Sequence, residues 1–304
     1  MSDTILAIIE LDNFPQQVAA RAAWLAGKYG YDLTLVLSDP TVAVLGSAYI
    51  VSSAAQDIED RIRATQQQVL DELVKAASAQ GVKTTTEILE ERPAAGAIVA
   101  MIEKIDPRCV VKGTHYHSAA SRAIFADVDW QLIRRLDRPL WLVKQEGWAD
   151  NPTIVAAVDP THAGDKKGTL DQKIVDAAKT ISDFSCGDVQ LLHTYQRLKE
   201  IGSKAMWMVK PVKLDVEDLQ AHMRNEHKAM LGSLAADNDI ATDHVHQLPG
   251  RADEILPAFA RTREASLVVM GAIARSGLKR RIIGSTAERV LDHLHCDVLI
   301  IRAD

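Results

Sequence analysis

No run of about 18 apolar residues occurs in this 304-residue chain, so no transmembrane helix is expected. Its first residues lack a basic segment followed by an apolar core, and export is not expected. Cysteine is scarce. Cys109, Cys186 and Cys296 form an odd, scattered set, which argues against a disulfide framework and predicts reduced, buried thiols in a cytoplasmic protein. Excess positive charge is also missing. The net charge is -6, whereas general nucleic-acid binders usually carry a basic footprint, so no nucleic-acid partner is expected. Nor is there a G-x-S-x-G elbow, a Walker A sequence or an H-E-x-x-H pair, which removes three common catalytic arrangements.

What remains is an ordinary globular composition, 47% hydrophobic and 25% charged, arranged as a duplication. Val110-Val111-Lys112-Gly113 in the first half is matched by Val268-Val269-Met270-Gly271 in the second. The same interval separates Gly113 from a helix start at Asp127 and Gly271 from one at Ser285. Each copy then runs into an apolar strand, Pro139–Val143 and Asp297–Ile301. The halves also share opening strands, Thr4–Ile9 and Thr153–Val158, and second strands, Leu33–Leu37 and Val189–His193. Long helices carry matching apolar stripes: Ile58, Ile62, Val69 and Leu73, then Leu219, Met223, Met230 and Leu234. A repeat of about 155 residues is a duplicated domain, because solenoid repeats are far shorter.

Each half reads β-α-β-α-β-α-β-α-β. Its strands are Val/Ile/Leu-rich on consecutive positions, as in parallel sheets covered on both faces. The expected fold is α/β: two Rossmann-like or flavodoxin-like domains, each a five-stranded parallel sheet with helices on both faces. Domains are predicted over 1–147 and 151–304, joined by a short linker at Gly147–Pro152. Intramolecular pairing of the two domains is expected, with the terminal strands as the seam, since pairing hides exposed strand edges. A homodimer is a further expectation.

Ligands of open α/β sheets collect beyond the carboxyl ends of the strands. In the second half, strand one ends at Asp159, strand four ends at Gly271, and a helix opens at Gly284-Ser285-Thr286. Glycine allows close backbone approach to an anion, and the helix start offers unpaired N–H groups and partial positive charge. Ser285 either donates its hydroxyl to a phosphate oxygen or simply caps the helix in a box with Glu288. Arg275, Lys279, Arg280 and Arg281 add charge, or form a solvated loop. Asp159 is the candidate to position magnesium, since hard cations favour carboxylate and phosphate oxygens.

Asp159, the Leu248–Ile255 segment (LPGRADEI), Gly271-x2-Ala274-x9-Gly284-Ser285 and the closing Gly284–Val290 and Leu294–Ile301 segments together resemble the universal stress protein family. Its nucleotide-binding class carries G-x2-G-x9-G-[S/T]. The first half, with Ile124–Trp130, resembles the degenerate first domain of tandem, two-domain UspE-type members. The resemblance implies a cytoplasmic stress-response protein that binds ATP or another adenine nucleotide. It places Asp159 near the adenine or ribose, and Gly271, Ala274, Gly284, Ser285 and Thr286 around the phosphates. One position departs from the family pattern: Ala274 stands where the motif has its second glycine, and its methyl crowds the phosphate loop.

The first half departs further. Glu10 aligns with Asp159, Tyr116 with Ala274, and Ala126-Asp127 with Gly284-Ser285. A carboxylate at a helix start satisfies the N–H groups itself and repels phosphate, so nucleotide is expected in the second half only. Three x-His pairs, His115/His117, His244/His246 and His293/His295, fall short of a zinc site, which normally takes four ligands. His293 and His295 are expected at a helix end. Apolar stretches at Thr41–Ile50 and Ala205–Val209 line either a cavity for an apolar ligand or an interface. The sequence thus points to a non-catalytic small-molecule binder. A slow ATPase, and a nucleotide-free interaction module or apolar-ligand carrier, are the competing readings.

Overall fold

Strand residues in this chain are buried in unbroken series. Ile5 to Ile9 are each no more than 1% exposed, and Leu267, Val268 and Val269 are fully buried. Such runs require cover on both faces of a sheet, and helices supply it. The computed structural model describes residues 2–47, 53–91, 94–114, 126–161, 169–196, 216–272 and 285–302. They divide into two compact units, Met1–Glu146 and Gly147–Asp304.

The first unit runs β1 (Ser2–Ile9), α1 (Pro15–Tyr29), β2 (Asp32–Ser38), α2 (Thr41–Ser47), α3 (Ser53–Ser78), β3 (Thr84–Leu89), α4 (Ala94–Ile105), β4 (Pro107–Gly113), α5 (Ala126–Arg135) and β5 (Leu140–Val143). All its strand pairs are parallel, in the order β3-β2-β1-β4-β5. The second unit runs β6 (Thr153–Ala157), α6 (Leu170–Ser185), β7 (Asp188–Tyr195), α7 (Val216–Asp237), β8 (Val245–Pro249), α8 (Ala252–Thr262), β9 (Ala265–Ala272), α9 (Ser285–His293) and β10 (Asp297–Arg302). Its parallel order, β8-β7-β6-β9-β10, repeats that of the first. This is the expected pair of five-stranded, doubly wound sheets. In each, the strand order reverses beside the first strand, between β1 and β4 and between β6 and β9. That reversal opens a crevice at the carboxyl edge.

Local sequence explains the helix limits. Pro15 occupies the first turn of α1, where its missing N–H costs nothing, and Gly30 ends it at φ 70°. The Tyr31 N–H then closes onto the Ala26 carbonyl at 2.9 Å. Val18, Ala22, Leu25 and Ala26 form the buried stripe of α1. Trp148, just before β6, donates to Asp297 Oδ2 at 3.1 Å, tying the chain entering the second unit to β10.

Three expectations are corrected. The stretch after β2 folds as a helix of its own, α2, so the first unit carries one helix more than the simple alternation. It buries Val42 but leaves Val44 38% exposed. The stripe assigned to α3 is misplaced at its start, since Ile58 is 50% exposed while Gln66, Leu70, Leu73 and Ala77 are buried. In α7 the buried positions are Leu231 and Ala235, followed by Asn238 just past its end, not Leu219 or Met230, which are each 40% exposed. In α3 and directly after α7 a hydrogen-bonded polar residue takes a core position. Gln66 Nε2 donates to Asp39 Oδ2 at 2.9 Å, and Asn238 Nδ2 donates to the Leu234 carbonyl at 2.8 Å.

Candidate functional site

At the carboxyl edge of the second unit, the last ladder bond of β6 runs from the Val158 N–H to the Leu192 carbonyl, 3.0 Å. Asp159 follows. Its Oδ1 accepts the Thr161 hydroxyl at 2.6 Å and the Thr161 N–H at 3.3 Å, the local turn that Asp favours. Its Oδ2 accepts no hydrogen bond among the described residues. The peptide joining Val158 to Asp159 is held at both ends by buried side chains. Asp171, in the first turn of α6, accepts the Asp159 N–H on Oδ1 at 3.0 Å. His193, from β7, donates Nδ1–H to the Val158 carbonyl at 3.2 Å.

That donation leaves His193 Nε2 as an acceptor, and it faces His227 Nδ1 of α7 at 3.1 Å. The His193 ring is 2% exposed. Burial pushes its pKa below the ordinary histidine value, so it stands neutral. Tyr195 meets the His227 ring edge-on at 6.3 Å. Neither histidine was singled out from the sequence. The available signal was the register that sets His193 beside Val158 at the strand end.

Gly271, on β9, lies across the crevice from Asp159. It has no positive φ. A Cβ placed there would stand 2.6 Å from Leu170 Cδ2, so the first residue of α6 packs directly over it. Close packing against Leu170, not approach to an anion, is what requires glycine in this structure. Ser285 opens α9, as expected. Ala274 and Gly284 lie outside the described residues, as do the side chains of Ser285 and Thr286 and the basic run from Arg275 to Arg281. The start of α8 is braced against α9. Arg251 grips Asp253 through two bonds of 3.1 and 2.7 Å, and Arg289 of α9 approaches the same carboxylate at 3.3 Å. The Arg251 guanidinium holds the Asp253 carboxyl below the usual carboxylate range.

The first unit fills the equivalent edge from within. Lys112, only 2% exposed, occupies the β4 position matched by Met270 of β9. Its ammonium stands 2.6 Å from Glu10 Oε2 and 2.8 Å from Asp129 Oδ1, and it donates to the Gly113 carbonyl at 3.1 Å. Burial alone pulls the Lys112 pKa down, but Asp129 and Glu10 together outweigh it and hold it above the ordinary lysine value. Asn13 Nδ2 reaches Glu10 at 2.9 Å and the Gly113 carbonyl at 2.8 Å, and Thr114 donates to Asp129 at 2.9 Å. Glu10, the counterpart of Asp159, is thus neutralised and bonded by its own chain. Tyr116 and the Asp127 side chain lie outside the described residues; α5 itself begins at Ala126.

Among the described residues, the histidines of these pairs are engaged separately. His244 ends a short 3-10 turn, and so does not share a strand face with His246. It meets Asp188 at 3.0 Å, while His246 donates to Gln190 at 2.7 Å. His293 closes α9 by donating to the Arg289 carbonyl at 2.6 Å. His115 and His117 lie outside the described residues, as does Ala205–Val209. Among the described residues, no group of three His, Cys, Asp or Glu side chains is placed to hold a metal ion, and no helix is long and apolar enough to cross a membrane.

A sequence profile of the universal stress protein family matches residues 1–144 and 192–302. Over 202 residues the chain is 28% identical to universal stress protein E of Salmonella typhi, which covers 64% of this chain and 61% of that protein. Over 303 residues it is 23% identical to the universal stress protein E homolog of Haemophilus influenzae, covering 98% and 96% of the two. A solved structure of a functionally unknown Pseudomonas aeruginosa protein superposes with a TM-score of 0.74 at 21% identity, over 100% of this chain and 93% of that one.

Proposed function

The chain belongs to the universal stress protein family, and from that premise we propose that it is a non-catalytic binder of an adenine nucleotide, with one site, in the second unit. The observation that carries this reading is the contrast between two equivalent carboxylates. Glu10 is matched by the ammonium of Lys112 and the amide of Asn13. Asp159 keeps Oδ2 unengaged among the described residues, with its backbone already fixed. A fixed carboxylate oxygen at a strand end accepts a ribose hydroxyl without reorganising, and the start of α9 at Ser285 offers backbone N–H groups to phosphate. A magnesium ion accompanying the nucleotide would be held chiefly by the phosphate oxygens, as hard cations prefer.

Hydrolysis needs a positioned water, a base within reach and stabilisation of developing charge. Among the described residues Asp159 is the carboxylate left open to the crevice, and the family resemblance sets it at the nucleoside end, so binding without turnover is the reading adopted. Native mass spectrometry of the purified chain with ATP tests it. The expected result is one nucleotide per chain, lost in Gly284→Asp, which sets a carboxylate beside the start of α9, next to the position that Asp127 matches in the first copy. Two nucleotides per chain, or none, would overturn the single-site reading. Phosphate release over many turnovers that vanishes in Asp159→Asn, with binding retained, would make the protein an ATPase instead.

A further inference from the structure

We propose that His193 and Asp171 are positioning residues for the second-unit site: they clamp the Val158–Asp159 peptide from both sides and so aim the Asp159 carboxylate at its ligand. This rests on the nucleotide reading above. The peptide in question is the first beyond the β6 ladder, where strand pairing no longer fixes backbone orientation. Its two polar groups are both taken by buried side chains from different elements. The carbonyl accepts from His193 Nδ1 at 3.2 Å, and the N–H donates to Asp171 Oδ1 at 3.0 Å. His193 is 2% exposed and Asp171 5%, so water does not compete strongly for either bond. With the Thr161 hydroxyl on Asp159 Oδ1 at 2.6 Å, the carboxylate is held on every side except at Oδ2.

The first unit serves as an internal control. Its β1–β2 pairing sets Leu37 beside Ile9; in the second unit the pairing runs to Leu192 beside Ala157, so that His193, one residue on, holds the matching place next to Val158. Leu37 is fully buried and has no donor to offer the Ile9 carbonyl. There the acidic side chain is fixed directly, by Lys112 and Asn13. The peptide clamp is thus described in the unit whose carboxylate is left open, and Leu37 offers no donor for one in its twin. A histidine buried at a strand end, where its twin is an ordinary leucine, sets no feature of the fold that leucine cannot.

The test measures ATP affinity by isothermal titration calorimetry on the full chain. His193→Leu, the residue tolerated at the twin position, should weaken binding by on the order of tenfold, the loss of about one oriented hydrogen bond. His193→Asn keeps an N–H near the place of Nδ1 and should stay within about threefold of the unmodified protein on the same scale. In an Asp159→Asn background, His193→Leu should add no further loss, because it acts through Asp159. Unchanged affinity in His193→Leu, equal losses in the Leu and Asn variants, or simple addition with Asp159→Asn would each overturn the proposal.

If the unmodified protein binds no ATP, the nucleotide reading falls, and the clamp is judged without ligand by nuclear magnetic resonance. Nitrogen shifts should then report His193 protonated on Nδ1 only. The Asp159 amide should exchange slowly, and faster in Asp171→Ala. A His193 protonated on Nε2, or an Asp159 amide that exchanges freely, would remove the clamp itself.

Discussion

Lys112 and Asp129 stand 2.8 Å apart in the interior of the first unit, one side chain 3% exposed and the other 8%, with Glu10 completing the group 2.6 Å away on the other side of the ammonium. Charges taken this far out of water persist only when each is met. The pairing therefore ties the ends of β1 and β4 to α5 by an interaction that fails if any one member is removed.

Lys112→Met, which installs the residue of the second unit, should destabilise the first unit by about 3–5 kcal/mol, because Asp129 is left buried, and Glu10 half-buried, without their counter-ion. Urea unfolding of the full chain would measure it. Adding Glu10→Gln and Asp129→Asn should recover much of the loss. Because the folded-state pKa of Lys112 is raised, its contribution is complete below the ordinary lysine pKa and is lost only as pH rises through the raised value. Unfolding between pH 6 and 9 should therefore show no slope from this residue. A loss under about 1 kcal/mol for Lys112→Met would show the group to be solvated.

Gly113→Ala and Gly271→Ala should differ sharply. The added methyl at Gly113 meets the backbone oxygen of Asn13 at 2.3 Å, which cannot yield without moving the turn after β1. At Gly271 the obstacle is the end of the Leu170 side chain, at 2.6 Å, which can rotate. The cost at Gly271 should lie near the lower end of the about 1–3 kcal/mol typical of overpacking, and that at Gly113 at or above its upper end. Leu170→Ala should rescue the first and not the second. Thermal melting of the four variants decides the matter; equal costs would contradict the packing.

Acid should weaken the second unit through His193. Its folded-state pKa is lowered, chiefly by burial, so the unfolded chain takes the proton first. The stability it confers is fully present above about pH 6.5, the unfolded histidine value, and declines as pH falls toward the lowered folded value. His246 is shifted in the same direction, by burial and then by Arg263 and His244. Denaturant midpoints between pH 7 and 5 should fall less steeply in His193→Asn than in the unmodified protein. Identical slopes would assign the acid response elsewhere.

Thiol chemistry should distinguish the three cysteines. Cys186 is exposed, while Cys109 and Cys296 are buried, and burial pushes the Cys109 thiol up to about 12. A thiolate-specific reagent at neutral pH should label one cysteine quickly and all three only after denaturation. Rapid labelling at Cys109 would mean that β4 opens far more readily than its burial allows.

The duplication, the ten strands and the two sheet edges were legible in the sequence, because apolar residues on consecutive positions between glycines and helix caps leave few alternatives to a parallel sheet. Asp159 and Gly271 were read as the ends of strands one and four at the carboxyl edge for the same reason, and they lie at the ends of β6 and β9, which are neighbours in the sheet. The buried faces of α3 and α7 were not legible. Counting apolar positions passes over Gln66 and Asn238, whose burial depends on partners distant in sequence, as Asn238 Oδ1 does on Gln172 at 2.7 Å. Lys112 gave a clue that went unused: a single lysine inside Cys109–Gly113 needs a buried acid. Which acids answer it depends on the turn after β1 and on the placement of α5, and no local pattern encodes either.

A counter-ion carried on the chain cannot be diluted, competed away or dialysed out. The ammonium of Lys112 is present at its site whenever the first unit is folded, and on the single-site proposal that unit's stability should not vary with metabolite supply. Asp159 has no such fixed companion among the described residues. Any small molecule it accepts stabilises the second unit alone, by about 2.7 kcal/mol at a hundredfold excess over Kd. On that proposal one polypeptide carries a unit of constant stability beside one whose stability follows concentration. Protease resistance that rises with ligand in residues 147–304 and stays flat in residues 1–146 would be the mark of such an arrangement.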